Sequence, residues 1–207
     1  MTRTRGYFRG GKATKYQQIV SEILLQRTKA ETVAKYYDTF FSKFPDWNAL
    51  ANASLEELEE IMKPLGLYRH RARRLYKLGE DIRRRGGKIP GNENELRDSG
   101  FIGLYVTNAF ELFILRNRKP LLDVNMSRLL KRYFKPGDFI DVRHDKEIQE
   151  LANDIIEVRR CKELNWAILD YAALVCKSRN PLCGECVLNK HCKYYGLSQG
   201  DVTEEPE

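Results

Sequence analysis

Cys176-Lys-Ser-Arg-Asn-Pro-Leu-Cys183-Gly-Glu-Cys186-Val-Leu-Asn-Lys-His-Cys192 places four of the chain's five cysteines in a C-x6-C-x2-C-x5-C run behind an apolar helical stretch. Thiols this dense, in a chain expected to be cytosolic, point to a metal centre rather than to disulfides. Zinc ribbons usually pair two short C-x2-C knuckles, and only Cys183–Cys186 is one here. A single cubane iron–sulfur cluster needs four thiolates and tolerates uneven spacing, so the run favours a cluster over zinc. Four unrelated buried cysteines would not be expected at this density.

Upstream of the run, helical periodicity dominates, with no convincing strand alternation and no internal repeat, which implies an all-α fold. Tyr16, Ile19, Val20, Ile23 and Leu24 form one stripe; Val33, Tyr37, Phe40 and Phe41 mark a second helix over 30–44. Ser54 and Glu57 are spaced as a capping box for a helix that Pro64 and Gly66 should stop. A basic helix over 69–84 keeps Ala72, Leu75 and Ile82 inward until Gly86-Gly87 breaks it. A short helix over 92–98 then leads through Ser99-Gly100-Phe101-Ile102-Gly103 into a helix over 104–116, with Val106, Ala109, Phe110 and Phe113 inward. Asn125 is expected to cap a helix over 126–134. Two further helices are expected over 146–158 and 165–176, with Cys161 between them, and the glycine-rich start and acidic end read as flexible termini.

The 207 residues, 42% of them hydrophobic, suffice for one compact unit or two small interlocked ones and exclude a disordered body. No apolar run approaches the roughly 20 residues of a bilayer span, and no apolar region follows Met1-Thr-Arg-Thr-Arg. The expectation is a soluble, cytoplasmic protein with no membrane partner. Its net charge of +7 hides an asymmetry: without the four acids of the last ten residues, 36 bases face 25 acids. The densest patch, 68–88, holds Arg69, Arg71, Arg73, Arg74, Lys77, Arg83, Arg84, Arg85 and Lys88 against Glu80 and Asp81. Such a field suits nucleic acid, although a charge run is more commonly a solvated helix face, so charge alone does not decide.

The cysteine spacing resembles that of the iron–sulfur DNA glycosylases of the endonuclease III and adenine-glycosylase superfamily, in which a helix-hairpin-helix is followed by an active-site aspartate. Three other stretches are similar to family motifs in the same order: Ser21-Glu-Ile-Leu-Leu-Gln-Arg-Thr28, Leu122-Asp-Val-Asn125 with Arg128, and Asp170-Tyr-Ala-Ala-Leu-Val-Cys176. The resemblance runs from about Tyr16 to Tyr195. It implies a two-domain fold: a helical barrel over 16–118 with the hairpin, and an iron–sulfur cluster domain over 119–197 joined by 1–15. An acidic tail, 198–207, remains. It also implies one structural 4Fe–4S cluster on Cys176, Cys183, Cys186 and Cys192. The implied partner is double-stranded DNA with a mismatched or damaged base, bound by a monomer that is nucleoid-associated if prokaryotic.

Breaking an N-glycosidic bond requires help for the departing base and an anion near the developing oxocarbenium. The resemblance assigns the second role, with orientation of water, to Asp123, placed at the cleft between the domains. It assigns assistance to the departing base to Glu22. Helix capping is the bland alternative for Asp123, and Asn125 is available for that role; a solvated helix residue is the bland alternative for Glu22. Tyr105 stands where endonuclease III-type enzymes carry the lysine that forms a Schiff base, which a phenol cannot do. The resemblance is therefore to the monofunctional branch, in which water attacks; as a plain helix residue, Tyr105 would be half-buried. Base extrusion needs a plug, for which Gln26 and Arg27 match the family position. The amides of Gly100, Ile102 and Gly103, with Tyr105 in the following helix, match the phosphate clamp, and Lys177 and Arg179 could touch another phosphate.

Two features depart from the family or divide it. The hairpin usually reads Leu-Pro-Gly-Val-Gly, and here Phe101 replaces a glycine. Gly66-Leu67 with Arg71-Ala72 and Leu75 resembles the mismatch thymine glycosylases, and the chain ends soon after Cys192 without the extra domain that adenine glycosylases append. The expected substrate is thymine or uracil opposite guanine. Adenine opposite guanine or oxidised guanine, and a non-catalytic iron–sulfur DNA-binding protein, stay open as alternatives.

Overall fold

A computed structural model describes residues 13–25, 28, 30–99, 103–137 and 141–199. These residues are helical with no strand among them, and the chain divides into two compact units, the first ending at Asn117 and the second beginning at Arg118. No helix among the described residues is long and apolar enough to cross a membrane.

The first unit is built around α1 (Lys15–Leu25), against which α2 (Ala30–Lys43) and α7 (Leu104–Phe110) pack. The apolar stripe alone would make α1 a surface helix with one inward face. Instead Ile19 through Leu24 are all buried, Ser21 and Glu22 included. Tyr16 begins the helix inside an aromatic cluster, edge-on to Phe41 and Trp47, with its hydroxyl donating to the Phe44 carbonyl at 2.8 Å. Burial, with Asp46 nearby, raises that phenol's pKa well above its ordinary value.

Local signals set most boundaries. Asp46 caps α3 (Trp47–Ala51), and the Ser54–Glu57 capping box forms in both directions at the start of α4 (Leu55–Met62). Pro64 sits in a 3-10 turn, Lys63–Leu65, that ends α4, and Gly66 then takes φ +66°. α5 (Tyr68–Arg84) stops before Gly86 and Gly87, both at positive φ. It crosses α3 so closely that a Cβ on Gly79 would lie 2.7 Å from the Leu50 carbonyl oxygen. α6 (Glu93–Arg97) is capped by Asn92. The helix expected over 104–116 divides: α7 ends at Phe110, a π-turn follows over Glu111–Leu115, and Arg116 reverses the chain at φ +63°. The Glu111 carbonyl takes the N–H of Asn117 at 3.0 Å, closing the wider turn.

The second unit is organised on α8 (Val124–Phe134), which α9 (Lys146–Ile156), α10 (Cys161–Leu174) and α11 (Lys193–Gln199) all touch. Asp145 caps α9 through the Ile148 N–H and pairs with Lys131 of α8 at 2.6 Å, both side chains largely buried. The hydrogen bonds overcome the burial penalty and hold the Asp145 carboxyl below its usual range. Asn165, fully buried, accepts the Leu121 N–H at 2.6 Å and donates to the carbonyls of Lys119 and Cys161. It thereby ties the segment leading into α8 to the start of α10. Cys161 is the first residue of α10 rather than part of a connection, and α10 stops at Leu174, short of Cys176.

Gly79→Ala should destabilise the protein by about 1–3 kcal/mol, because the new methyl meets backbone rather than a movable side chain. Guanidinium unfolding checks this against Gly137→Ala, where a Cβ meets open space.

Candidate functional site

Glu22 lies two-thirds along α1 with 7% of its surface exposed. Its Oε2 accepts a 2.6 Å hydrogen bond from the Tyr105 hydroxyl, 83 residues away, at the start of α7. That is a short O–H···O hydrogen bond. A carboxylate is costly to bury alone, so a solvated helix face does not describe Glu22. Tyr105 is half-buried and engaged with it. Gly103 precedes α7 at φ +102°, and its carbonyl accepts the Thr107 N–H at 3.1 Å, starting the helix. Gly100 and Ile102 lie outside the described residues, as do Phe101, Gln26 and Arg27.

Asp123, not Asn125, is the N-cap of α8, which starts at Val124. Its Oδ1 accepts from the backbone N–H groups of Asn125 and Met126, both at 2.8 Å, and Oδ2 accepts from Asn125 Nδ2 at 2.8 Å. The expectation that Asn125 caps the helix is therefore wrong. Either residue type caps well, and the choice falls to Asp123 because the Asn125 side chain is engaged elsewhere. Asn125 Oδ1 takes Arg128 Nη2 at 3.1 Å, and the same guanidinium donates to the carbonyls of Ala172 (2.9 Å) and Cys176 (2.8 Å). Burial pulls the Arg128 pKa below its ordinary value. A continuous set of hydrogen bonds thus links the Asp123 carboxylate to the backbone of the first cysteine in the run. Three of the roughly four acceptor sites on the Asp123 carboxylate are filled, which fixes its orientation and leaves capacity on Oδ2.

Cys176, Cys183, Cys186 and Cys192 line one small cleft, together with Arg132, Leu182, Asn189 and Tyr194. None of the four is in a disulfide. Four thiols on one cleft are a donor set for a cluster or for zinc, and their uneven spacing along the chain favours the cluster. Burial, then the neighbouring sulfurs of Cys176, Cys192 and Cys186, push the Cys183 thiol up. The turns Cys183–Glu185 and Asn189–His191 set the spacing, with Asn189 Nδ2 donating to the Cys183 carbonyl. Arg132 straps the loop from Cys176 to Cys183 by donating to the carbonyls of Lys177 (2.6 Å) and Ser178 (3.2 Å) while it lies over the Tyr194 ring. Lys177 and Arg179 are exposed on that loop. The Tyr171 hydroxyl is bonded to Cys186 Sγ and, chiefly through burial, is pushed up to about 12.

Two residues carry roles that sequence reasoning missed. Arg71 was grouped with the exposed basic patch, but it is 4% exposed and donates to the carbonyls of Leu65 (2.8 Å) and Gly66 (2.9 Å) and to the Thr28 hydroxyl. Leu67, the residue after Gly66, is held in the left-handed region at φ +45° and is 55% exposed. A non-glycine residue there is a place of strain. The signal available was the Gly66-Leu67…Arg71 spacing, which has no local meaning until the turn is seen folded back on the arginine. Arg69, Arg73, Arg74, Lys77, Arg83 and Arg84 are exposed along α5, while Arg85 is paired with the buried Asp81 at 2.8 Å.

Comparison with known proteins fits this geometry. Residues 20–163 match the family described as HhH-GPD superfamily base excision DNA repair protein, and residues 176–192 match the iron–sulfur binding domain of endonuclease III. The chain belongs to the HhH-GPD superfamily of base excision DNA repair proteins. It is 35% identical to the thymine-DNA glycosylase of Aeropyrum pernix, covering 86% of this chain and 81% of that one. It is 31% identical to the thymine/uracil-DNA glycosylase of Methanothermobacter thermautotrophicus, covering 87% and 82%. Its fold matches a solved thermostable thymine-DNA glycosylase with a TM-score of 0.78 at 28% identity, over 92% of each chain.

Because Asp123 both caps α8 and is the candidate for chemistry, the two roles should separate by substitution. Asp123→Ala should cost about 1 kcal/mol of stability, whereas Asp123→Asn, which retains an acceptor for the two backbone N–H groups, should cost less. Guanidinium unfolding of the protein as purified checks the order.

Proposed function

We propose that the protein is a monofunctional DNA glycosylase that hydrolyses the N-glycosidic bond of thymine or uracil opposite guanine, leaving an abasic site. The observation that carries this reading is the buried Glu22 carboxyl held at 2.6 Å by the Tyr105 hydroxyl, in a family whose thymine- and uracil-specific members are similar over most of this chain. A phenol paired with a carboxylate offers no amine for Schiff-base formation, which supports hydrolysis without lysine-dependent strand cleavage.

The target nucleotide leaves the duplex, at a cost that a mispair lowers. Glu22, acting as the neutral acid with Oε2 accepting from Tyr105, then passes the proton on its other oxygen to the departing base, and Tyr105 fixes its rotamer. As the C1′–N bond breaks, Asp123 stabilises the sugar cation and takes a proton from the water that forms the new C1′–O bond. Its three hydrogen bonds orient it beforehand, so that no reorganisation is needed at the moment of reaction. Leu67, exposed and kept in a strained turn by Arg71, is suited to wedge between base steps. Gln26 and Arg27 as the plug, and Gly100, Ile102 and Gly103 as the phosphate clamp, rest on family membership. Lys177 and Arg179 add a second phosphate contact from the exposed loop.

Cys176, Cys183, Cys186 and Cys192 would hold one 4Fe–4S cluster, whose part is to hold the loop from Cys176 to Cys183 in shape; the donor set of four thiols on one cleft supports it. About four irons and four acid-labile sulfides per chain are expected, and a colourless zinc protein would contradict this assignment.

Single-turnover assays on duplexes with thymine or uracil opposite guanine should release the base, with strand breaks only after alkali. Asp123→Asn should slow release by at least ~100-fold while duplex binding persists. Release of adenine alone, opposite guanine or oxidised guanine, would move the enzyme to adenine substrates. Tight duplex binding without any release would make it a non-catalytic DNA-binding protein, and strand cleavage without alkali would overturn the role given to Tyr105.

A further inference from the structure

Tyr171 stands near the end of α10, five residues before Cys176, and its hydroxyl reaches across to the C-x2-C knuckle. Its oxygen lies 3.1 Å from Cys186 Sγ and accepts the Val187 N–H at 3.0 Å. With Val187 as donor to the oxygen, the single hydroxyl proton is directed to the sulfur. A cysteine bound to iron is a thiolate without a proton, so in the loaded protein only the phenol can donate. The ring is carried by a helix packed on α8, and its neighbour Ala172 is fully buried, which leaves the hydroxyl little freedom to turn away. Arg132 Nη1 lies farther from its sulfur, 3.6 Å from Cys176 Sγ, and is committed to the Lys177 carbonyl.

We propose that Tyr171 is a positioning residue that donates a hydrogen bond to the Cys186 thiolate of the bound cluster, raising the cluster's reduction potential and slowing its loss. The proposal rests on the cluster assignment made above. A donor at a ligand sulfur draws charge away from the iron, and it stabilises the more negative, reduced state more than the oxidised one. The same bond ties the Cys186–Val187 backbone to α10, so the ligand cannot swing out without breaking both contacts of one hydroxyl.

Tyr171→Phe keeps the ring and removes only the donor, so it tests the bond on the full-length, cluster-loaded protein. Voltammetry should place the potential of the Phe variant below that of the wild type, and challenge with an iron chelator should bleach it about tenfold faster. Resonance Raman spectra of the wild type should show iron–cysteine stretching bands that shift on transfer to D₂O, and the Phe variant should lose part of that shift. The wild-type deuterium shift is read on the native protein, so its absence counts against the proposal even if the variant folds poorly. Equal potentials, equal bleaching and equal deuterium shifts in two cluster-loaded proteins would overturn the proposal alone. A wild-type protein that holds no iron would overturn the cluster assignment, and this proposal with it.

Discussion

The second unit depends on one half-buried cation. Arg128 spends its guanidinium on the Cys176 and Ala172 carbonyls and on the Asn125 side chain, and Asn125 in turn holds Asp123. Taking a guanidinium even partly out of water is costly, and its three acceptors offset that cost. The start of α8 and the end of α10 are therefore one mechanical piece. The geometry of the cysteine run and that of the Asp123 carboxylate cannot vary independently. A cluster held on these thiols would have a structural purpose, because by locking the turn after Cys176 it would also lock the carbonyl on which Arg128 rests.

The first unit solves a parallel problem with a phenol. Glu22 occupies a fully enclosed stretch of α1, where a carboxylate without a partner would cost several kcal/mol. Tyr105 supplies that partner from α7, and α7 is positioned by the turn at Gly103. A site residue thus helps hold α7. The same economy appears at Arg71, which satisfies the carbonyls of a turn that would otherwise leave Leu67 strained and unsupported. In both units a buried polar contact, rather than apolar packing alone, sets the conformation of a functional segment.

Much of this was legible in sequence because the signals were local. The Ser54–Glu57 box, the glycine stop after α5 and the inward faces of α5 and α7 follow from i, i+3 and i, i+4 patterns that need no tertiary knowledge. The cysteine run was legible because ligand spacing is a property of the chain itself. What sequence could not decide were choices made by distant partners. Asp123 and Asn125 are both good caps two residues apart, and only Arg128, reaching from Cys176 to Asn125, selects Asp123. Arg71 reads as one more basic residue until Leu65, Gly66 and Thr28 surround it. Glu22 looks solvated until α7 covers it, and the π-turn after Phe110 has no sequence mark that a continuous helix would lack.

The central claim is that Arg128 couples the cysteine run to the orientation of Asp123, so the most direct measurement is single-turnover base release by Arg128→Gln, read together with its iron content. The variant should retain its iron while releasing thymine opposite guanine at least about tenfold more slowly, because the Asn125–Asp123 contact loses its anchor. Full activity with full iron content would contradict the coupling and leave Asp123 oriented by the α8 N-terminus alone.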